Sequence, residues 1–249
     1  MLETVPEGVQ TVFLSDESLF VELPGLTDDT RKALYAALDG YEIELVLFER
    51  EQTAWMRSFY LQSVQNRRAG RKTAQASARN LWQTSLDFKA FFAQPFCQKL
   101  LDTETMKREL RNAFGTANLR VLPFEPGKDV VEVFCAELDW PHMGHGPTLA
   151  LNPSITDSQA EILRQANGMS NSIGRFIKKM IELPDDYAPD GLRPKLLEKL
   201  LKHARDIPWQ RFQFQENPPL SVTPESFNEA LEVLRLKTER LGLVVERKA

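Results

Sequence analysis

The sequence predicts an α/β fold with a helical C-terminal extension. Three observations carry this. Short β-rich runs alternate with capped helices over the first 140 residues. One of those runs, Ile43–Phe48 (IELVLF), is apolar enough to be covered on both faces, as strands of a parallel sheet are. After residue 150 the punctuation and periodicity are helical almost to the end. Residues 1–140 therefore read as an α/β core and 150–249 as a helical extension packed on it.

Val9–Ser15 (VQTVFLS) is the first strand candidate. Thr27 then caps a helix through Leu38, with Asp28 and Asp29 in the first turn, where the helix dipole favours acid, and Gly40 ends it. Ile43–Phe48 is the second strand. A helix from about Thr53 runs toward Arg68 and closes at Gly70, and a further helical region around Thr73–Phe92 is broken by Pro95. Thr103–Phe114 reads as a helix capped by Thr103, Leu119–Pro123 as a strand and Asp129–Leu138 as a short helix. Trp140–Thr148 is a turn-rich loop. Thr156–Glu182, Arg193–Arg205 and Pro224–Leu241 read as helices. Ser154 or Thr156 caps the first, and Thr223 followed by Pro224 opens the last. Trp55, Phe59, Phe91, Phe92 and Phe96 are core candidates.

Composition narrows the function classes. Hydrophobic residues at 42% and charged residues at 27% exclude wholesale disorder. With 31 Lys+Arg against 35 Asp+Glu, the net charge of −4 argues against a whole-protein grip on nucleic acid. Cys97 and Cys135 stand in apolar-leaning segments without metal-ligand spacing, so neither a disulfide framework nor a zinc site is expected. His142 and His145 form an H-x-x-H pair in a Gly/Pro loop, where a metal site would need a third ligand and a supporting helix, so no metal is expected; an acceptor-side loop and plain exposed histidines are the other readings. No apolar stretch reaches membrane-spanning length, and MLETVPEGVQ has neither a basic n-region nor an apolar h-region. The expectation is a cytoplasmic protein. Nothing in the sequence sets its oligomeric state.

Charge is unevenly placed. Between Gln52 and Leu86 stand Arg57, Arg67, Arg68, Arg71, Lys72 and Arg79, with no acid where about five would be expected at the chain's average. An acid-free basic region after a buried strand suits an anion; a solvated basic face is the other reading.

The most specific stretch is EIELVLFEREQTAWMRSFYLQSVQNRR, Glu42–Arg68. A buried strand ends in Arg50, a helix follows, and Ser58 lies eight residues after the arginine. This resembles the 3′-phosphate-binding element of PAPS-dependent sulfotransferases, especially the bacterial carbohydrate sulfotransferase-like proteins. Three more blocks agree in order. FLSDESL resembles the family's Ser-x-Glu strand end. FGTANLRVLPFEPGKDVVEVF resembles its helix–Gly–strand–Glu–helix block. LNPSITDSQAEILRQAN resembles the Asn-x-Ser start of its C-terminal helices.

The resemblance implies a parallel-sheet, P-loop-NTPase-like sulfotransferase fold and transfer of a sulfuryl group from PAPS to a hydroxyl of a carbohydrate or glycolipid, without nucleic acid or metal. It implies that Arg50 and Ser58 hold the donor's 3′-phosphate, a guanidinium fork and a hydroxyl being suited to that anion. It also implies that Glu17 is the base that deprotonates the acceptor hydroxyl. The residues alone leave other roles open: Arg50 in a surface ion pair with Glu49 or Glu51, Ser58 a plain helix serine, Glu17 a solvated acid.

One departure qualifies the match. The family opens with a strand and a Gly/Lys/Thr-rich phosphosulfate loop, and neither G-x-x-x-x-G-K-[ST] nor Pro-Lys-x-Gly-Thr-Thr occurs here. The matching region begins about where that loop ends in the family. The expectation is therefore a fold lacking its first strand and loop, weak or inactive alone, since losing a single preorganised donor in other enzymes costs about 10²–10³ in rate. Two alternatives stand beside it: a non-catalytic accessory or binding protein of the same fold, and an unrelated α/β nucleotide-binding protein.

Overall fold

A computed structural model describes residues 27–66, 81–114, 118–140 and 155–242. The described elements are α1 (Asp28–Leu38), β1 (Leu45–Glu49), α2 (Gln52–Gln65), α3 (Phe88–Phe92), α4 (Pro95–Leu101) and α5 (Thr103–Phe114). They continue with β2 (Leu119–Pro123), α6 (Val130–Glu137), α7 (Asp157–Met169), α8 (Asn171–Glu182), α9 (Pro194–Ala204) and α10 (Pro224–Glu239). Single 3₁₀ turns lie at Pro189–Gly191 and Trp209–Arg211. The protein is mixed α/β and mostly helical. It divides into two compact units, Met1–Gln52 with Gln94–Gly144 and Thr53–Ala93 with His145–Ala249.

The first unit holds the strands. β1 and β2 pair in parallel, in register from Leu45 opposite Leu119 to Glu49 opposite Pro123. A parallel pair needs a crossover between its strands, and the helices of this unit that lie between them in sequence are α4 and α5. α5 also packs against α1. The Thr27 hydroxyl accepts from the Thr30 amide at 3.3 Å to start α1, and Gly40, at φ +83°, turns the chain away after it. Asp129 starts α6 by accepting from the amides of Val131 and Glu132. The predicted strand Val9–Ser15 lies outside the described residues.

The second unit is helical. α7 and α8 pack on one another, α10 packs against both, and α9 against α8. Thr156 and Thr223 each start their helix with a reciprocal capping box, to Gln159 and Ser226 respectively. The core includes an aromatic cluster. Phe91 lies 5.9 Å from Phe59, 5.5 Å from Tyr60 and 5.1 Å from Phe92, centroid to centroid, mostly in the tilted and edge-on geometries that aromatic quadrupoles favour. Phe59, Phe91 and Phe92 are buried as expected, whereas Trp55 and Phe96 are half-buried.

Four local expectations need correction. Thr156–Glu182 is two helices rather than one. Ser170, at φ −168° and ψ 157°, breaks the chain, and its hydroxyl then accepts from the Ile173 amide to cap α8. Of the expected helical region Thr73–Phe92, residues 73–80 lie outside the described residues; among the described ones, 81–87 are turn and irregular chain and helix forms over Phe88–Phe92. Pro95 starts α4 rather than breaking a helix, because the first helical position has no amide bond to lose. The cap of α5 is Asp102, not Thr103, its carboxylate accepting from the Thr105 amide at 3.0 Å.

Candidate functional site

Arg50 and Phe124 are the residues that follow β1 and β2. The strand register ends at Glu49 opposite Pro123, and one further bond, from the Phe124 amide to the Glu49 carbonyl at 2.8 Å, keeps the two chains together as they leave the sheet. Arg50 and Phe124 thereby come together at the carboxyl ends of the strands, where open α/β sheets place ligands. The Arg50 guanidinium carbon stands 4.5 Å from the Phe124 ring centroid, and both side chains are half-buried. The ion pair with Glu49 does not form. Glu49 is bound by Lys107, Nζ to Oε1 2.9 Å, and Lys107 also meets Glu104 at 3.0 Å. These bonds, the one to Glu49 foremost, hold the Lys107 ammonium above its ordinary pKa. Among the described residues Arg50 makes no ion pair with any carboxylate, Glu51 included.

Ser58 stands in the second unit, on the exposed face of α2 with Ala54 and Gln62, while Phe59, Tyr60, Leu61, Ser63 and Val64 face the interior. Its neighbour Arg57 pairs with Asp157 in the first turn of α7. Asp157 also accepts from the Ser221 amide at 2.8 Å through its other oxygen. The basic region that lacks acids in sequence thus finds one here a hundred residues away.

Behind α2 lies a buried polar network. Glu161, fully buried, accepts from Arg164 Nε at 2.8 Å and Nη2 at 2.5 Å, from Gln165 Nε2 at 2.9 Å and from Asn217 Nδ2 at 3.1 Å. Arg164 donates on to the Ser85 carbonyl at 2.9 Å and to Gln215 at 2.6 Å. Asn217 also donates to the Tyr60 hydroxyl at 3.1 Å, and that hydroxyl donates to the Leu86 carbonyl at 2.9 Å. Burial pushes the Tyr60 phenol well above its ordinary pKa. Burial works against the Arg164 charge as well, and the bonds it donates to Glu161, with that carboxylate's charge, outweigh it, so that guanidinium ends above its ordinary value. Every strong partner is satisfied, as a buried ion pair requires. The network binds α2, α7 and the chain segments around Ser85 and Asn217 into one body. Sequence reading missed it. The available signal was Glu161 and Arg164, spaced i,i+3, inside an apolar-periodic helix.

Glu17, the cluster Arg67, Arg68, Arg71, Lys72 and Arg79, and the pair His142 and His145 lie outside the described residues. Among the described residues no group of three His, Cys, Asp or Glu is arranged to hold a metal ion, and no helix is long and apolar enough to cross a membrane. Cys97 and Cys135 are both free thiols. Comparison with protein-family models, with curated proteins and with solved structures yields no match to this chain.

Proposed function

We propose that this chain is a sulfotransferase-like protein of the parallel-sheet, P-loop-NTPase-like class, acting on PAPS and a carbohydrate or glycolipid hydroxyl. The observation that carries the reading is Arg50. It leaves a parallel strand at its carboxyl end, lies over an aromatic ring, and meets no carboxylate among the described residues while the adjacent Glu49 is taken by Lys107. A half-buried guanidinium so placed suits a phosphate. In this reading Arg50 binds the 3′-phosphate of the donor. The acceptor oxygen attacks sulfur, the bond from sulfur to the 5′-phosphate oxygen breaks, adenosine 3′,5′-bisphosphate departs, and Glu17 takes the hydroxyl proton. The leaving phosphate needs donors of the phosphosulfate-loop kind, and these 249 residues contain no such motif. Turnover therefore depends on a loop additional to them.

That missing motif also favours a second reading, a nucleotide- or glycan-binding protein without turnover. Calorimetry with adenosine 3′,5′-bisphosphate tests the shared donor site. Charge-assisted hydrogen bonds of this kind are worth about 1.5–3 kcal/mol, so Arg50→Ala should weaken binding by roughly 10- to 100-fold. Unchanged affinity removes Arg50 from the site. Binding without transfer of labelled sulfate from PAPS to a glycan panel selects the second reading.

A further inference from the structure

We infer that Phe124 is a positioning residue for the phosphate-binding arginine, so that the site is built from the ends of both strands. The inference rests on the reading of Arg50 given above. A guanidinium has a π face and five in-plane N–H donors. The guanidinium carbon lies over the Phe124 ring, 4.5 Å from its centroid, and a cation–π contact of this kind consumes none of the N–H donors in hydrogen bonds. An arginine held this way loses less rotamer freedom when it closes on a phosphate, and its edge stays open for a bidentate contact. The parallel register, extended by the bond from the Phe124 amide to the Glu49 carbonyl, fixes the platform to the strand that carries the arginine.

Lys107 completes the arrangement. Glu49 is the residue next to Arg50 in sequence, and a free carboxylate there would compete for the guanidinium. Lys107 holds it at 2.9 Å, with Glu104 at 3.0 Å on the same ammonium. Among the described residues no carboxylate then competes for Arg50, which suits an anion from outside. The ligand class this specifies is a phosphomonoester carried on a nucleoside, here the 3′-phosphate, recognised at its phosphate edge.

The test is calorimetry on the full chain with adenosine 3′,5′-bisphosphate and, in parallel, adenosine 5′-monophosphate, which lacks the 3′-phosphate. Phe124→Leu should weaken the bisphosphate roughly fivefold and leave the monophosphate unchanged, with no change in the thermal midpoint. Phe124→Met, similar in bulk and without a ring, should repeat the result if the leucine variant folds poorly. Phe124→Trp should retain wild-type affinity. Wild-type affinity for the bisphosphate in both the leucine and methionine variants overturns the inference, as does equal weakening of both nucleotides. If Arg50→Ala is also without effect, or the wild-type chain binds neither nucleotide, the donor-site reading fails and takes the inference with it. If Arg50→Ala weakens the bisphosphate and Phe124→Leu does not, only the role of Phe124 fails.

Discussion

Gly174 stands in the first half of α8 against Asn167 of α7. A Cβ added there would lie 2.2 Å from Asn167 Oδ1, 3.1 Å from Gln83 Nε2 and 3.3 Å from the Asn167 Cα. The first contact is far inside van der Waals range, so Gly174→Ala must move the asparagine. That side chain is not free to leave, because its Nδ2 donates to the Val64 carbonyl at 3.0 Å and to the Thr84 carbonyl at 3.1 Å. Swinging it away orphans two buried carbonyls, each costing about 1–3 kcal/mol. Alanine returns about 0.5–1 kcal/mol as the better helix former. The net expectation is a loss of about 1–5 kcal/mol, read as a lower urea midpoint at unchanged slope. The double-mutant cycle with Asn167→Ala isolates the cause. In that background the obstructing oxygen is gone and only the 3.1 and 3.3 Å contacts remain, so Gly174→Ala should cost clearly less than in the native chain. A neutral Gly174→Ala in the otherwise native chain, or the same loss in both backgrounds, refutes the argument.

Further outcomes follow from two buried groups. Glu161→Ala leaves Arg164 charged and buried, 10% exposed at the side chain, without its partner. It should cost about 3–5 kcal/mol in urea unfolding, and a loss below about 1 kcal/mol would show that water reaches the network. Burial pushes the Cys97 thiol up to about 12. The unfolded chain loses that proton near its ordinary value while the native chain keeps it. Stability should therefore hold below the ordinary thiol range and fall as pH rises toward 12. Cys97→Ala should remove that part of the slope, and an unchanged alkaline profile would count against the assignment. In the native protein Cys97 should react with thiol reagents roughly tenfold or more slowly than half-buried Cys135.

What was legible in the sequence was what neighbours along the chain decide. Thr27, Asp129, Thr156 and Thr223 announce helices because a cap and its target amide lie within three residues. β2 was read at its observed limits, Leu119–Pro123, and β1 within two residues at its start. Pro95 misled because the same residue that breaks a helix interior opens a helix at its first turn. Ser170 is a cap residue whose signal was passed over because it stands in a single-residue break within an otherwise continuous helical pattern. The arrangement around the proposed site shows the same divide. Arg50 could be placed at a strand end from residues 42–68. Phe124 beneath it is 74 residues away, and Asn217, which joins Glu161 to Tyr60, is 56 residues from one and 157 from the other. No pattern along the chain announces contacts of that range.

The single-residue joint at Ser170 has a consequence for how this part of the chain tolerates change. Helical hairpins usually carry a few spare residues at the bend, which absorb insertions and let one arm loosen alone. Here the residue whose amide closes the last turn of one arm also opens the first turn of the other. Lengthening the corner by even one residue would rotate one arm about its axis and turn its buried stripe toward water. Evolution and engineering alike should find length variants at that corner among the least acceptable in the second unit.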